Sequence, residues 1–265
     1  LTPYDVPTKR GELKNILITV GEGERLMIRF VLRTRERVSD IRAALPLLRD
    51  LVPSAHVVTT NIHPTHEAIV EGPDEIILTR ARTLPLTVEG LALGPRSFAQ
   101  TNARVAAALY EQASRWARLP LPDGRVPEGL WDLYCGVGGF ALHCAGPGRR
   151  VTGVELSAQA VESARASASA AGIDADFIVG DALSAARELG GADIVAVNPP
   201  RRGIGDLASW IDASRIRFVL YSSCNPASLA ADVASMPNFA PVRARVFDMF
   251  PHTGHTETLV LLARV

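Results

Sequence analysis

Apolar residues in the first hundred positions come in short, interrupted runs. ILITVG (16–21) and RLMIRFVLRT (25–34) have the β-branched, apolar density of two strands, joined by the Gly-containing turn GEGE. VSDIRAALPLLRDLV (38–52) has helical spacing, with Ser39 as the expected N-cap and Pro53 just past its end. HVVTTNIHP, HEAIVEG and EIILTR read as short strands separated by Pro and Gly. Residues 1–95 are therefore expected to form a mixed α+β region.

From Ser97 the pattern changes. SFAQTNARVAAALYEQASRWARL spaces its apolar positions as one long helix, and LPLPDGRVPEG (119–129) is a loop full of breakers. Beyond it, LWDLYCG, RVTGVEL, ADFIVGD, ADIVAVNPP and RFVLYSSC alternate with helical segments. That alternation predicts βαβ units and a parallel, doubly wound sheet over residues 96–265. Ligands of such sheets sit beyond the carboxyl ends of the strands.

Composition narrows the class. A chain of 265 residues with 47% hydrophobic content suits two packed domains, or one with a large extension, rather than disorder. No apolar stretch approaches the roughly 20 residues of a membrane span, and no secretory signal pattern opens the chain. The first residue is Leu1 rather than Met, as expected of a trimmed or partial product. Cys135, Cys144 and Cys224 form no CxxC pair, which fits a reducing cytoplasm, and no metal-site spacing occurs. The net charge is zero, yet seven arginines face two acids between Arg25 and Arg49. That run is either a functional basic patch or an ordinary solvated face.

The ends of the predicted strands carry the candidate chemistry. DLYCGVGGF (132–140) is a strand ending in an acid, then a Gly-rich turn into a helix, which brings backbone N–H groups at Gly136 close to a ligand. Its spacing is not GxGxxG, and Asp132 would oppose a pyrophosphate, so a ligand with a cationic centre is expected. Glu155 ends the second strand, where an acid pairs with ribose hydroxyls. Asp181 ends the third, where an adenine ring would lie. In this order the three point to S-adenosylmethionine rather than a dinucleotide.

Two later strand ends suggest a reaction. In NPPRRGIG the prolines stiffen a turn that projects Asn198 into the cleft, while Arg201 and Arg202 suit phosphate or a uracil carbonyl. The alternative is a Pro-rich connector with solvent-facing arginines. FVLYSSCNP ends on Cys224 just ahead of a helix, where a thiolate is favoured and a nucleophile is expected. Cys144 in ALHCA reads as core, and Cys135 in the glycine turn reads as packing. In PHTGHTE, His252 and His255 have too few partners for a metal site. Glu257 is either a general base at the cleft or a solvated carboxylate.

Taken together, SFAQTN, DLYCGVGGF, NPPRRGIG, SSCNP and PHTGHTE resemble, in order and spacing, the family of RNA uracil-C5 methyltransferases that use S-adenosylmethionine. The resemblance spans essentially the whole chain. NPPRRGIG, LHCA and FDMFPHT are most similar to the branch that modifies a loop uracil of 23S rRNA, with the tRNA-modifying branch and a second 23S rRNA branch as the alternatives. The implied fold is α/β: a class I, Rossmann-like methyltransferase domain with the α+β region facing RNA. Gln100, Tyr134, Glu155 and Asn198 match positions at the cofactor, Cys224 matches the nucleophile and Glu257 the base. Members usually carry an N-terminal cysteine cluster holding an iron–sulfur centre, but this chain has no cysteine ahead of Cys135. The implied partner is 23S rRNA, with no membrane, and the chain is expected to act as a cytoplasmic monomer. A nitrogen or small-molecule methyltransferase would keep Glu155, Asp181 and Asn198 without needing Cys224 and Glu257 together. A non-catalytic RNA-binding module would need no cofactor pocket.

Overall fold

β1 (Leu13–Val20) and β2 (Leu26–Leu32) pair as an antiparallel hairpin, turning through Glu22–Glu24 with Gly23 in the left-handed region at φ +61°. Helix α1 (Val38–Leu51) then crosses over to β3 (Ala55–Ile62), parallel to β2, and β4 (Asp74–Ile77) pairs antiparallel with β3. Ile28, Leu32, Val58 and Ile62 from the sheet pack with Ile41 of the helix. The short strands β5 (Leu84–Pro85) and β6 (Ala92–Leu93) pair with each other. This computed structural model describes residues 1–67, 69–88, 90–121 and 123–265. They divide into two units, Leu1–Thr87 with Ala92–Arg96, and Val88–Leu91 with Ser97–Val265.

Three local expectations for the first unit change. Arg37, not Ser39, is the N-cap of α1, and it makes no side-chain cap bond. The described residues of HEAIVEG are loop and turn, Ala68 lying outside the described residues. Side chains of β3 and its end bind this segment's backbone instead of a ladder: the Asn61 amide bonds both N–H and C=O of Gly72, and His63 bonds the Ile69 carbonyl. The arginine run is largely consumed by ion pairs. Buried Arg29 lies 2.7 Å from Glu71 and 2.8 Å from Glu75, and Arg33, Arg35 and Arg37 pair with Glu12, Asp74 and Asp40. Arg25, Arg42 and Arg49 stay exposed.

The second unit begins with α2 (Ala103–Ala117), capped by the Asn102 side chain, which accepts the Val105 N–H at 3.2 Å. The long helix is therefore shorter than its apolar spacing suggests, and residues 97–102 precede it as non-helical chain. Next come β7 (Gly129–Leu133), α3 (Gly139–His143), β8 (Arg150–Glu155), α4 (Ala158–Ala171) and β9 (Asp176–Val179). They are followed by α5 (Ala182–Glu188), β10 (Ile194–Val197), α6 (Asp206–Ala213), β11 (Phe218–Ser223) and α7 (Pro226–Ala234). The chain closes with β12 (Phe239–Phe247) and β13 (Glu257–Arg264).

The sheet order is β12-β13-β11-β10-β7-β8-β9. β11, β10, β7, β8 and β9 are parallel, as the alternation predicts. β13 is antiparallel to both neighbours, a departure from a wholly parallel sheet. Only a short loop joins β12 to β13, too little chain for the crossover a parallel pair requires. Between β7 and β10 the winding reverses, so a crevice opens at their carboxyl ends. The reversed direction of β13 brings its first residue, Glu257, to the edge where β11 finishes.

Candidate active site

A cleft of about 430 Å³ lies at this edge, within the 300–1,000 Å³ range of small-molecule sites. Gln100, Tyr134, Gly136, Glu155, Asn198, Arg201, Arg202, Cys224 and Glu257 all line it. Asp181 is not among the lining residues. Its Oδ1 accepts the Ser184 N–H at 2.9 Å and hydroxyl at 3.0 Å as the N-cap of α5, which holds its carboxyl below the usual range. A helix cap and a ligand-facing acid look alike at a strand end in sequence.

The glycine turn forms one wall. Tyr134 at φ +71° and Gly136 at φ +53° both occupy the left-handed region, and the N–H groups of Tyr134 and Cys135 converge on the Val154 carbonyl at 3.0 Å each. Such a φ is uncommon for a residue with a side chain. Glu155 ties the turn to the next helix: Oε2 accepts the Gly136 N–H at 3.2 Å and Oε1 the Ser157 N–H at 2.9 Å. Asp132, at the strand end expected to face the ligand, does not line the cleft. It is fully buried outside the lining, where Oδ2 accepts the Ala141 N–H at 2.8 Å and Oδ1 has no partner among the described residues. Burial raises its pKa to about 7, with the charge of Glu155 adding to the effect. An acceptor-rich wall with open space at Gly136, where an added Cβ would meet only the Phe98 carbonyl at 3.9 Å, fits a nucleoside-type cofactor.

The opposite wall holds a thiol and a carboxylate. Cys224 is half-buried at the bend between β11 and α7. Asn225 behind it caps α7 through Oδ1 and donates its Nδ2 to the Arg201 carbonyl at 2.8 Å, joining the cysteine turn to the proline turn. The β11–β13 register ends at Ser223–Thr258, with Cys224 next along one strand and Glu257 next along the other, and both line the cleft. Glu257 is 1% exposed and accepts a hydrogen bond from the Ser222 hydroxyl, which excludes the solvated-carboxylate alternative. Burial pushes its carboxyl above the usual range, and the Ser222 bond opposes that rise. Cys135 and Cys144 are buried, and burial pushes both thiols up, Cys144 to about 12.

Residues 92–265 match a family model described as tRNA (Uracil-5-)-methyltransferase. The chain belongs to this family. It is 47% identical to the 23S rRNA (uracil(747)-C(5))-methyltransferase RlmC of Cronobacter sakazakii over 270 residues, 100% of this chain and 71% of the relative. It is 46% identical to the protein of the same name from Halothiobacillus neapolitanus, again over 100% of this chain and 71% of the relative. Among solved structures it resembles the Pyrococcus abyssi tRNA (uracil-54, C5)-methyltransferase in complex with S-adenosyl-L-homocysteine. The TM-score is 0.76 at 25% identity, over 97% of this chain and 61% of that one.

In this member of the uracil-5-methyltransferase family, Arg201 and Arg202 lie exposed at the cleft mouth, and among the described residues neither guanidinium is paired with an acid. His252 and His255 are exposed. Among the described residues no group of His, Cys, Asp and Glu is arranged to hold a metal, and no helix is long and apolar enough to cross a membrane. The lining also contains Phe98, Tyr110 and Phe250, which strand ends alone do not reveal. Tyr110 belongs to α2, and its ring stands so close to Gly139 that an added Cβ there would lie 2.4 Å from it. A glycine pair after GV is the one trace of that contact in the sequence.

Proposed function

We propose that this chain methylates carbon 5 of a uracil in 23S rRNA, using S-adenosylmethionine, through a covalent bond from Cys224 to carbon 6. The observation that carries this reading is a half-buried thiol and a buried carboxylate at the adjoining ends of β11 and β13, in the same cleft as the Gly136–Glu155 wall. A methyltransferase acting on nitrogen needs no such pair. The 23S rRNA assignment rests on the relatives named for that activity at 46–47% identity. We place the cofactor against Gln100, Tyr134, Gly136, Glu155 and Asn198, and the RNA against Arg201 and Arg202. Residues 1–95 form the RNA-facing region and residues 96–265 the catalytic domain. We take the chain to act as a monomer in the cytoplasm, a reducing compartment in which free cysteines are the rule.

Carbon 5 of uracil is a weak nucleophile. When the Cys224 thiolate adds to carbon 6, the carbon 5–carbon 6 π pair moves toward carbon 5 and the carbonyl at carbon 4 as an enolate. Bound S-adenosylmethionine supplies the electrophilic methyl group. Glu257 then takes the carbon-5 proton, the C–H pair restores the double bond, and the C–S bond breaks to return the thiolate. The uracil must leave its stack to reach this cleft, at a cost of a few kcal/mol that loop nucleotides largely avoid.

The test uses 5-fluorouracil-substituted RNA, whose carbon-5 fluorine blocks the final elimination. Mixed with S-adenosylmethionine and 23S rRNA fragments, the protein should form an adduct that survives a denaturing gel and maps to Cys224. A Cys224→Ala protein that still methylates RNA would sink the mechanism. Trapping on tRNA in place of rRNA would move the substrate to the other branch of the family.

A further inference from the structure

β11 reads FVLYSS, and every one of its residues is buried. A hydroxyl placed there is costly unless it is bonded. Successive strand residues point to opposite faces, so Tyr221 and Ser222 part company. Tyr221 enters the core between the sheet and α6 and α7. Ser222 takes the other face, shared across the β11–β13 register by its partner Leu259 and, two residues before it on β13, by Glu257. Its hydroxyl, 0% exposed, donates to Oε1 of Glu257. The bond therefore occupies one carboxylate oxygen and leaves Oε2 for the cleft that Glu257 lines.

We infer that Ser222 is a positioning residue for the base: its hydroxyl holds the Glu257 carboxylate in the orientation that takes the carbon-5 proton. The inference rests on the function proposed above. Ser222 touches neither substrate nor cofactor, and it has no part in the addition of Cys224. Its loss should slow proton removal and the coupled cleavage of the C–S bond, leaving the earlier bond formation intact. A purely structural serine would instead weaken the fold or RNA capture, and it would leave the partition between reaction steps unchanged.

The experiment compares wild type, Ser222→Ala and Ser222→Thr on one 23S rRNA fragment with ordinary uracil. For S222A we expect kcat about 10- to 100-fold lower with KM within about twofold, the scale of a misplaced catalytic group. The denaturing gel should also show a covalent protein–RNA complex whose uracil already carries the methyl group, because elimination has become slow. S222T, which keeps the hydroxyl, should recover most of kcat and lose the complex. On 5-fluorouracil RNA, S222A should trap as fast as wild type.

Normal turnover by folded S222A would overturn the role of Ser222. So would a slow S222A whose loss lies in KM or in trapping rate. If S222T proves too bulky for the site, the methylated complex in S222A decides alone. If wild type itself forms no adduct on 5-fluorouracil RNA, the carbon-5 reading falls and the role of Ser222 with it. A wild-type adduct beside a normally active S222A removes only the latter.

Discussion

Tyr221 donates its hydroxyl to Asp232 Oδ2 at 2.6 Å, and the same oxygen accepts the backbone N–H of Ile204 at 2.8 Å. Oδ1 accepts the Gly205 N–H at 3.3 Å. One buried carboxylate on α7 thus holds the end of the loop that presents Asn198, Arg201 and Arg202. Asp232→Ala leaves the buried Tyr221 hydroxyl and Ile204 N–H without their acceptor, and each unsatisfied buried group costs about 1–3 kcal/mol. The expected result is a lower urea midpoint together with a raised KM for RNA. A variant as stable as wild type would show that the loop holds itself.

Gly139 faces a different constraint. An added Cβ would lie 2.4 Å from the Tyr110 ring, which is itself wedged against Phe140 at 5.1 Å and His143 at 4.9 Å. Gly139→Ala should cost about 1–3 kcal/mol by overpacking. Because Tyr110 lines the cleft, cofactor affinity should fall with it. Calorimetric titration with S-adenosylmethionine checks the second effect, and unchanged affinity would detach Tyr110 from the cofactor.

What the sequence shows of this site follows from chain proximity. Glu155, Asn198 and Cys224 are legible because each ends an apolar run, and a parallel sheet gathers such ends at one edge. Ser222 is not, because its partner is 35 residues away and their meeting depends on a reversed strand. Asp132 misleads for the opposite reason: an acid near a strand end reads the same whether its side chain faces the cleft or lies beneath the turn. HEAIVEG has a strand's apolar content, but side chains of Asn61 and His63 capture the backbone groups a ladder would need. SFAQTN has helical spacing, yet the Asn102 cap starts the helix after it and leaves Gln100 at the cleft.

Arg201 and Arg202 are exposed and unpaired among the described residues, so removing their charge should leave the fold alone. Replacing either with Gln should shift stability by less than about 0.5 kcal/mol, as for ordinary surface changes. If each meets one phosphate, the slope of log K against log salt should drop by about 0.7 per arginine on single-stranded RNA. Filter binding at several salt concentrations measures this. An unchanged slope with weaker binding would favour contact with the uracil carbonyl instead.

Asp132 makes stability depend on pH. Its folded pKa is about 7 against an ordinary 3.8, so between those values the native protein keeps a proton that the unfolded chain has lost. The contribution is fully present below the unfolded value and disappears as pH rises through the folded one. The span corresponds to about 4 kcal/mol as an upper figure. Urea unfolding at about pH 4 and about pH 8 should show a fall in wild type that Asp132→Asn largely flattens. Equal slopes in the two proteins would mean that the buried carboxyl finds a compensating partner.

Glu257 gives turnover a pH dependence of its own. Burial raises its pKa above the 4.5 of a free glutamate, and a general base works only when deprotonated. The acid limb of kcat should therefore lie at higher pH than a free carboxyl gives, and activity should vanish as pH falls through it. Formation of the Cys224 bond does not use this base, so trapping on 5-fluorouracil RNA should lack that limb. Glu257→Gln should form the covalent complex with ordinary uracil RNA and release it slowly at every pH. The same limb in trapping as in turnover would assign it to Cys224 or to RNA binding, and would take Glu257 out of the proton-removal step.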